Sequence, residues 1–265
     1  MKQYFIRFTP IVIVAVIATF TLATPAMADK LAIGSLACSD SNVIKASSVS
    51  LGSASNFSIF AGAAITNVGR SRLNGGVGVN PGTAITGGET IFTNLAETAS
   101  VSEVNKLIST NVLASIIAAN DLITTQKITA HSDIAAELGE QTICPGIYKS
   151  DAAFGLTGTL TLDGNKDPNS VFIFITPAAF TSAAASRIIL SNGAKAENVY
   201  WQLGAAATLG ASSFFTGTIL AEAAITAGAG VHIHGRFLSK SAAVTLDSNC
   251  ILVPNLTENV LCSTE

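Results

Sequence analysis

ATLGASSFFTGTILAEAAITAGAGVHIHG (residues 207–235) consists mostly of Ala, Gly, Ser and Thr, yet apolar residues interrupt it on a regular beat at Leu209, Phe214, Ile219, Ile225, Val231 and Ile233. A flexible linker has no use for that spacing. The stretch belongs to a repeat: 199–253 divides into VYWQLGAAATLGASSFFTG, TILAEAAITAGAGVHIHG and RFLSKSAAVTLDSNCILV, of 19, 18 and 18 residues, with Gly217 and Gly235 closing the first two at the same place. Looser copies occupy 146–164, 171–193 and 57–75. A recurring unit of this length is the signature of a solenoid, in which each turn buries its apolar side against the next.

Each unit splits into three short strand-like runs separated by small residues; in 218–235 they are TILA, AITAG and VHIHG. Three strands per turn predict a mainly β protein, a parallel β-helix of triangular cross-section with equivalent strands stacked about 4.8 Å apart. Alternation assigns the middle run. Phe154, Leu156, Phe180, Leu209, Ile225, Ala227, Val244 and Leu246 fall on the inward parity. Thr157, Thr208, Gly210, Thr226, Gly228, Thr245 and Asp247 fall outward, and Thr66 and Thr86 fit the same slot after Ile65 and Ile85. This predicts a column of threonines climbing one face.

The first runs, VFIFIT, VYWQL, TILA and RFLSK, are apolar on both parities, as in a strand covered from both sides. The cover is legible. No Gly lies between Gly88 and Gly139 and no Pro between Pro81 and Pro145, and Val101, Val104, Ile108, Val112, Ile116, Ala119 and Ile123 recur at helical spacing. Ser100 and Glu103 suit a capping box. A helix over about 100–127 would be about 39 Å long, the height of roughly eight stacked strands, and is expected along the stack on the doubly apolar face.

Lys2 and Arg7, the apolar run 11–23 and the small-residue site Ala26-Met27-Ala28 read as a secretory signal over 1–28, too short to span a bilayer. Beyond it the sequence divides into an extension over 29–47, a solenoid over 48–253 and a tail over 254–265. The expected product is secreted, membrane-free after cleavage and monomeric. Export permits disulfides among Cys38, Cys144, Cys250 and Cys262, whose three possible pairings the sequence leaves open. Charged residues make up only 12% of the chain, which excludes the clustered Lys and Arg that nucleic acid requires. His232 and His234 share a strand side but lack an assignable third metal ligand. Asp163, Asp167, Glu222 and Asp247 are dispersed, so no enzyme is expected and neither cofactor nor metal is implied. Trp201, the lone tryptophan, reads as core.

LGSASNFSIFAGAAITNVG, CPGIYKSDAAFGLTGTLTLDG, DPNSVFIFIT, ENVYWQLGAAATLGASSFFTGTILA and HGRFLSKSAAVTLDSN together resemble the DUF3494-type ice-binding proteins, in chain order from about 48 to 253. The resemblance implies a discontinuous right-handed β-helix flanked by one long helix, with ice held on a flat β-face. The family face often shows Thr-x-x-Thr or Thr-x-x-Asn; here Ala211 and Ala229 follow Thr208 and Thr226 at that spacing. The expected contact residues are Thr66, Thr86, Thr157, Thr181, Thr208, Gly210, Ser212, Thr226, Gly228, Thr245 and Asp247, and the expected partner is an ice crystal surface. The alternative from another class is a secreted adhesin that lays the same face on a glycan.

Overall fold

The structure, a computed structural model, describes residues 38, 46–93, 114, 115, 117–125, 132–256 and 262. All of these fall in one compact unit, Ile33–Glu265. The signal segment, most of the 29–47 extension, the remainder of the 100–127 helix and most of the tail lie outside the described residues.

The repeat read from 199–253 is the structural coil. Val199–Leu203 begins one turn, Ala207–Leu209 continues it, and the next turn stacks on it in parallel register: Trp201 on Ile219, Thr208 on Thr226, Gly217 on Gly235. The short central strands alternate as buried, exposed, buried in Phe180–Ser182, Ala207–Leu209 and Ile225–Ala227, and all eight residues assigned inward are buried. One detail differs from the expected three separate runs. The last run of a turn and the first of the next are one strand, Phe214–Ala221 and again His232–Ser239. The glycine that closes each repeat is therefore a bend inside a strand. Gly217 adopts φ 109°, and a Cβ there would meet the Trp201 Nε1 at 2.9 Å.

Chain order and spatial order part company at the C-terminal coil. Strand His232–Ser239 pairs with Phe57–Ala61, Val244–Asp247 with Ala64–Val68, and Cys250–Leu252 with Ser71–Leu73. The N-terminal coils thus complete the stack beyond the last C-terminal one. After building that end, the chain must travel back along the stack to Ser132–Asp133, which pairs with Gly146–Lys149. The helix lies on this return path.

Two apolar layers result. Inside the coils, Trp201 is fully buried and stacks on Phe174 with centroids 4.1 Å apart, with Phe180 and Phe215 tilted against it. Its Nε1 donates to the Thr216 carbonyl at 3.0 Å, which satisfies the one polar atom that burial would penalise. Outside the first face, Phe60, Ile147, Ile173, Ile175, Tyr200, Leu220 and Leu238 form a second layer with Ala119 and Ile123 of the helix. The doubly apolar strands are covered as expected. Of the expected helical stripe, only Ala119 and Ile123 have described side chains, and both are fully buried, while off-stripe Ile117 and Leu122 are exposed. Gln202 donates to the Asn120 carbonyl and the Thr124 hydroxyl, tying helix to sheet.

The segment before the first strand closes the same face. Val49, Leu51 and Ala54 are buried there. The Tyr200 hydroxyl donates to the Val49 carbonyl, and Arg236 Nε and Nη2 both donate to the Ser55 carbonyl at 3.0 and 2.8 Å. Burial raises the Tyr200 pKa and lowers that of Arg236 from their ordinary values. Disulfides Cys38–Cys144 and Cys250–Cys262 secure the two ends. On the loop-closure argument the first, closing 106 residues, removes about 4–5 kcal/mol of unfolded-chain entropy.

The bend at Gly235 leaves no room for a side chain: a Cβ there would lie 1.9 Å from the Gly217 carbonyl oxygen. Gly235→Ala is expected to cost about 3 kcal/mol or more, read from chemical denaturation. Thr226→Ala, on an exposed strand position, should cost under about 1 kcal/mol.

Candidate functional site

Seven coils carry one local pattern: AAFGL (152–156), AAFTS (178–182), AAATL (205–209), AAITA (223–227), AAVTL (242–246), AAITN (63–67) and TAITG (83–87). The third and fifth positions point inward and are mostly apolar. The second and fourth point outward. Stacking in parallel register therefore converts the pattern into columns. Thr181, Thr208, Thr226, Thr245, Thr66 and Thr86 stand one over another, with Gly155 in the seventh place. Two residues earlier runs a column of alanines: Ala153, Ala179, Ala206, Ala224, Ala243, Ala64 and Ala84. Ladder bonds from Phe154 N to Ala179 O, Phe180 N to Ala206 O, Ala207 N to Ala224 O and Ile225 N to Ala243 O hold it in step, and Ala64 pairs with Ala84.

This 7-stranded sheet is a different face from the one beneath the helix. At about 4.8 Å per strand its columns run about 29 Å, and residues two apart along a strand lie about 6.6 Å apart. Thr86, Thr181, Thr208 and Thr226 are exposed, and Thr66 and Thr245 half-buried. Among the described residues, none of the six hydroxyls hydrogen-bonds to a protein group. No Lys or Arg stands in either column. The nearby Lys240–Glu222 pair, at 2.9 Å, sits where the coil turns onto the face.

The family described as Ice-binding-like matches residues 59–252. The chain belongs to that family. An ice-binding protein from Nostoc sp. strain HG1 is 39% identical over 213 residues, covering 77% of this chain and 74% of the relative. One from Flavobacterium frigoris is 31% identical, covering 78% and 76%. The crystal structure of an ice-binding protein from the Antarctic ascomycete Antarctomyces psychrotrophicus superposes with a TM-score of 0.71 at 37% identity, over 79% of this chain and all of that one.

Within the family fold the expected residues separate into three places. Thr66, Thr86, Thr181, Thr208, Thr226 and Thr245 share the central column. Thr157 does not: it lies two residues beyond that slot, and its N–H donates to Glu137 Oε1 at 2.8 Å. Gly155 holds the slot because the Glu137 side chain of the end coil crosses there, 2.7 Å from where a Cβ would be. Gly210, Gly228 and Asp247 form, with Thr157, a flanking column two positions past the central slot. Gly210 is set by backbone approach, since a Cβ would lie 2.4 Å from Ala183. Ser212 leaves the face altogether. It has φ 56°, at the corner where Gly158, Ala185, Gly230, Ser248 and Gly69 are also left-handed. It is a turn residue.

The alanine column was not among the expected contacts. The Ala-Ala pair recurring in six of the seven coils, with Thr83-Ala84 in the seventh, is the signal that points to it. His232 lies on the third face, stacked on Phe214 with centroids 4.9 Å apart, and Arg187 sits over the same Phe214 ring at 4.3 Å. The scattered carboxylates have local partners: Asp163 Oδ2 accepts from Asn192 and Glu222 pairs with Lys240.

A serine in left-handed backbone carries a Cβ penalty that glycine lacks. Ser212→Gly should raise the thermal midpoint by about 2 °C in a melting experiment and leave activity at the threonine face unchanged.

Proposed function

We propose that this protein is a secreted, monomeric ice-binding protein that adsorbs to ice through the alanine and threonine columns. One observation carries the reading: seven alanines in line on the open face, Ala64 and Ala84 within their strands and the other five immediately ahead of theirs, beside the threonines. Threonine over threonine has a structural explanation, since it favours strands and contributes about 0.2–1 kcal/mol per cross-strand pair. The alanines offer no such pair energy, a lone methyl making little cross-strand contact, and Ala64 and Ala84 stand in strands, where alanine is depleted. A column of alanines along the open face forgoes that stabilisation and gives level relief.

Ice presents water at fixed spacing, so an adsorbing surface works by many weak contacts held in a plane. Each interior strand of this face is hydrogen-bonded on both sides, which fixes the plane before contact. Threonine methyls order adjacent water, and unengaged hydroxyls both donate to and accept from it. Long charged side chains would lose rotamer entropy on contact, and neither column contains one. Water bound in an ice-like layer pins the crystal front between adsorbed molecules and slows its growth. No aromatic ring stands in the two columns to serve as a platform for a sugar, so the glycan reading gains no support. Export is supported by the signal-like segment 1–28 and by the disulfides, which persist in oxidising compartments.

Thermal hysteresis and ice-crystal shaping test the face. Thr226→Tyr and Ala224→Tyr are each expected to lower hysteresis about fivefold or more with an unchanged melting curve. Ile189→Tyr, at an exposed position on the third face, should retain full activity. Equal activity of all three variants and the unaltered protein would reject this face.

A further inference from the structure

We infer that Asp247 and Val68 set the width of the ice contact, confining it at the N-terminal-coil end of the face to two columns where it is three elsewhere. The inference rests on the ice-binding reading and concerns which part of the face bears the load. Two positions beyond the threonines, the outward residues are Ala183, Gly210 and Gly228 in three successive coils, level with or below the threonines. In the next two coils they are Asp247 and Val68, paired in register on adjacent strands. Val68 is 59% exposed, ahead of Ile117, Leu122 and Ile189, the other exposed large apolar side chains among the described residues. Its methyls rise above the plane that glycine and alanine define.

Asp247 is the ionisable residue among these outward positions. Its Oδ1 accepts from the Ser248 hydroxyl at 3.2 Å, and Oδ2 is left to water among the described residues. A carboxylate's hydration shell is costly to strip and does not follow the ice repeat. A second observation points to the same two coils. Thr245 and Thr66, which these side chains flank, are the half-buried members of the threonine column, whereas Thr181, Thr208, Thr226 and Thr86 are exposed. The ridge shields its own threonines. The contact is therefore centred on the coils of Thr181, Thr208 and Thr226, where three outward columns are level.

The experiment compares hysteresis of the full chain with that of Asp247→Ala, Asp247→Asn, Val68→Ala and the Asp247→Ala/Val68→Ala pair, each checked by thermal melting. The pair should raise hysteresis about twofold at equal concentration. Val68→Ala alone should give part of the gain, independently of any change at the Asp247 corner. In parallel, Thr208→Tyr should lose more activity than Thr66→Tyr. An active unaltered protein with unimproved, folded ridge variants, or equal losses at Thr208 and Thr66, overturns the inference and leaves the ice-binding reading standing. An unaltered protein that neither shapes ice nor shows hysteresis overturns both.

Discussion

Parallel stacking in register is the constraint from which the remaining features follow. Once Thr208 lies on Thr226 and Gly217 on Gly235, every residue has its counterpart about 4.8 Å above and below it. Any property repeated in the sequence becomes a column in space. Inward columns must then fill a narrow interior, and they do so with a ring stack in which Trp201 lies flat on Phe174, 4.1 Å away. Corners must turn in the space left by the neighbouring coil, which is why Gly235 has no room for a Cβ. The outward columns are what remains free to vary.

That freedom is spent differently on each face. On the first, outward Ile173, Tyr200, Leu220 and Leu238 make a second apolar layer that is stable only when covered. The cover and the chain path solve one another. Because the N-terminal coils stack on the C-terminal end, the chain must run the length of the stack, and an apolar-striped helix on that route buries Ala119 and Ile123 against the exposed layer. Tyr200 and Arg236, reaching out to the Val49 and Ser55 carbonyls, close the same layer from its other edge. With one face committed to this packing, the threonine face is left open to solvent.

How much of this was legible depended on whether the relevant neighbours were close in sequence. Coils 199–253 follow one another without insertions, so their period, inward residues and glycine bends could be read directly. The two-sided apolar strands and the helical stripe gave away the covered face because each is a local pattern. The misplacement of Thr157 has a non-local cause. Gly155 pairs with Thr181 across strands far apart in sequence, which leaves Thr157 beside Ala183 in the flanking column, and in the end coil the Glu137 carboxylate accepts the Thr157 and Gly139 N–H groups. Ser212 was misassigned because alternation holds only while the chain stays extended, and a left-handed residue ends it. The disulfide pairing required knowing which coils the two chain ends approach.

The alanine column shows why inward and outward positions carry different information. An inward residue is fixed by volume, so Leu209 or Ile225 reports only that a core exists. An outward residue on a solvated strand is fixed by the fold only where a neighbour crowds it, as Glu137 crowds Gly155; elsewhere local propensity favours β-branched side chains. Where the outward positions depart from that preference in the same direction in every coil, core packing does not account for it. The threonines satisfy both fold and function and cannot separate them. The alanines offer little cross-strand contact yet recur in all seven coils, which supports the proposed contact with a surface on which height matters more than side-chain chemistry, as on a lattice of water presented as a plane.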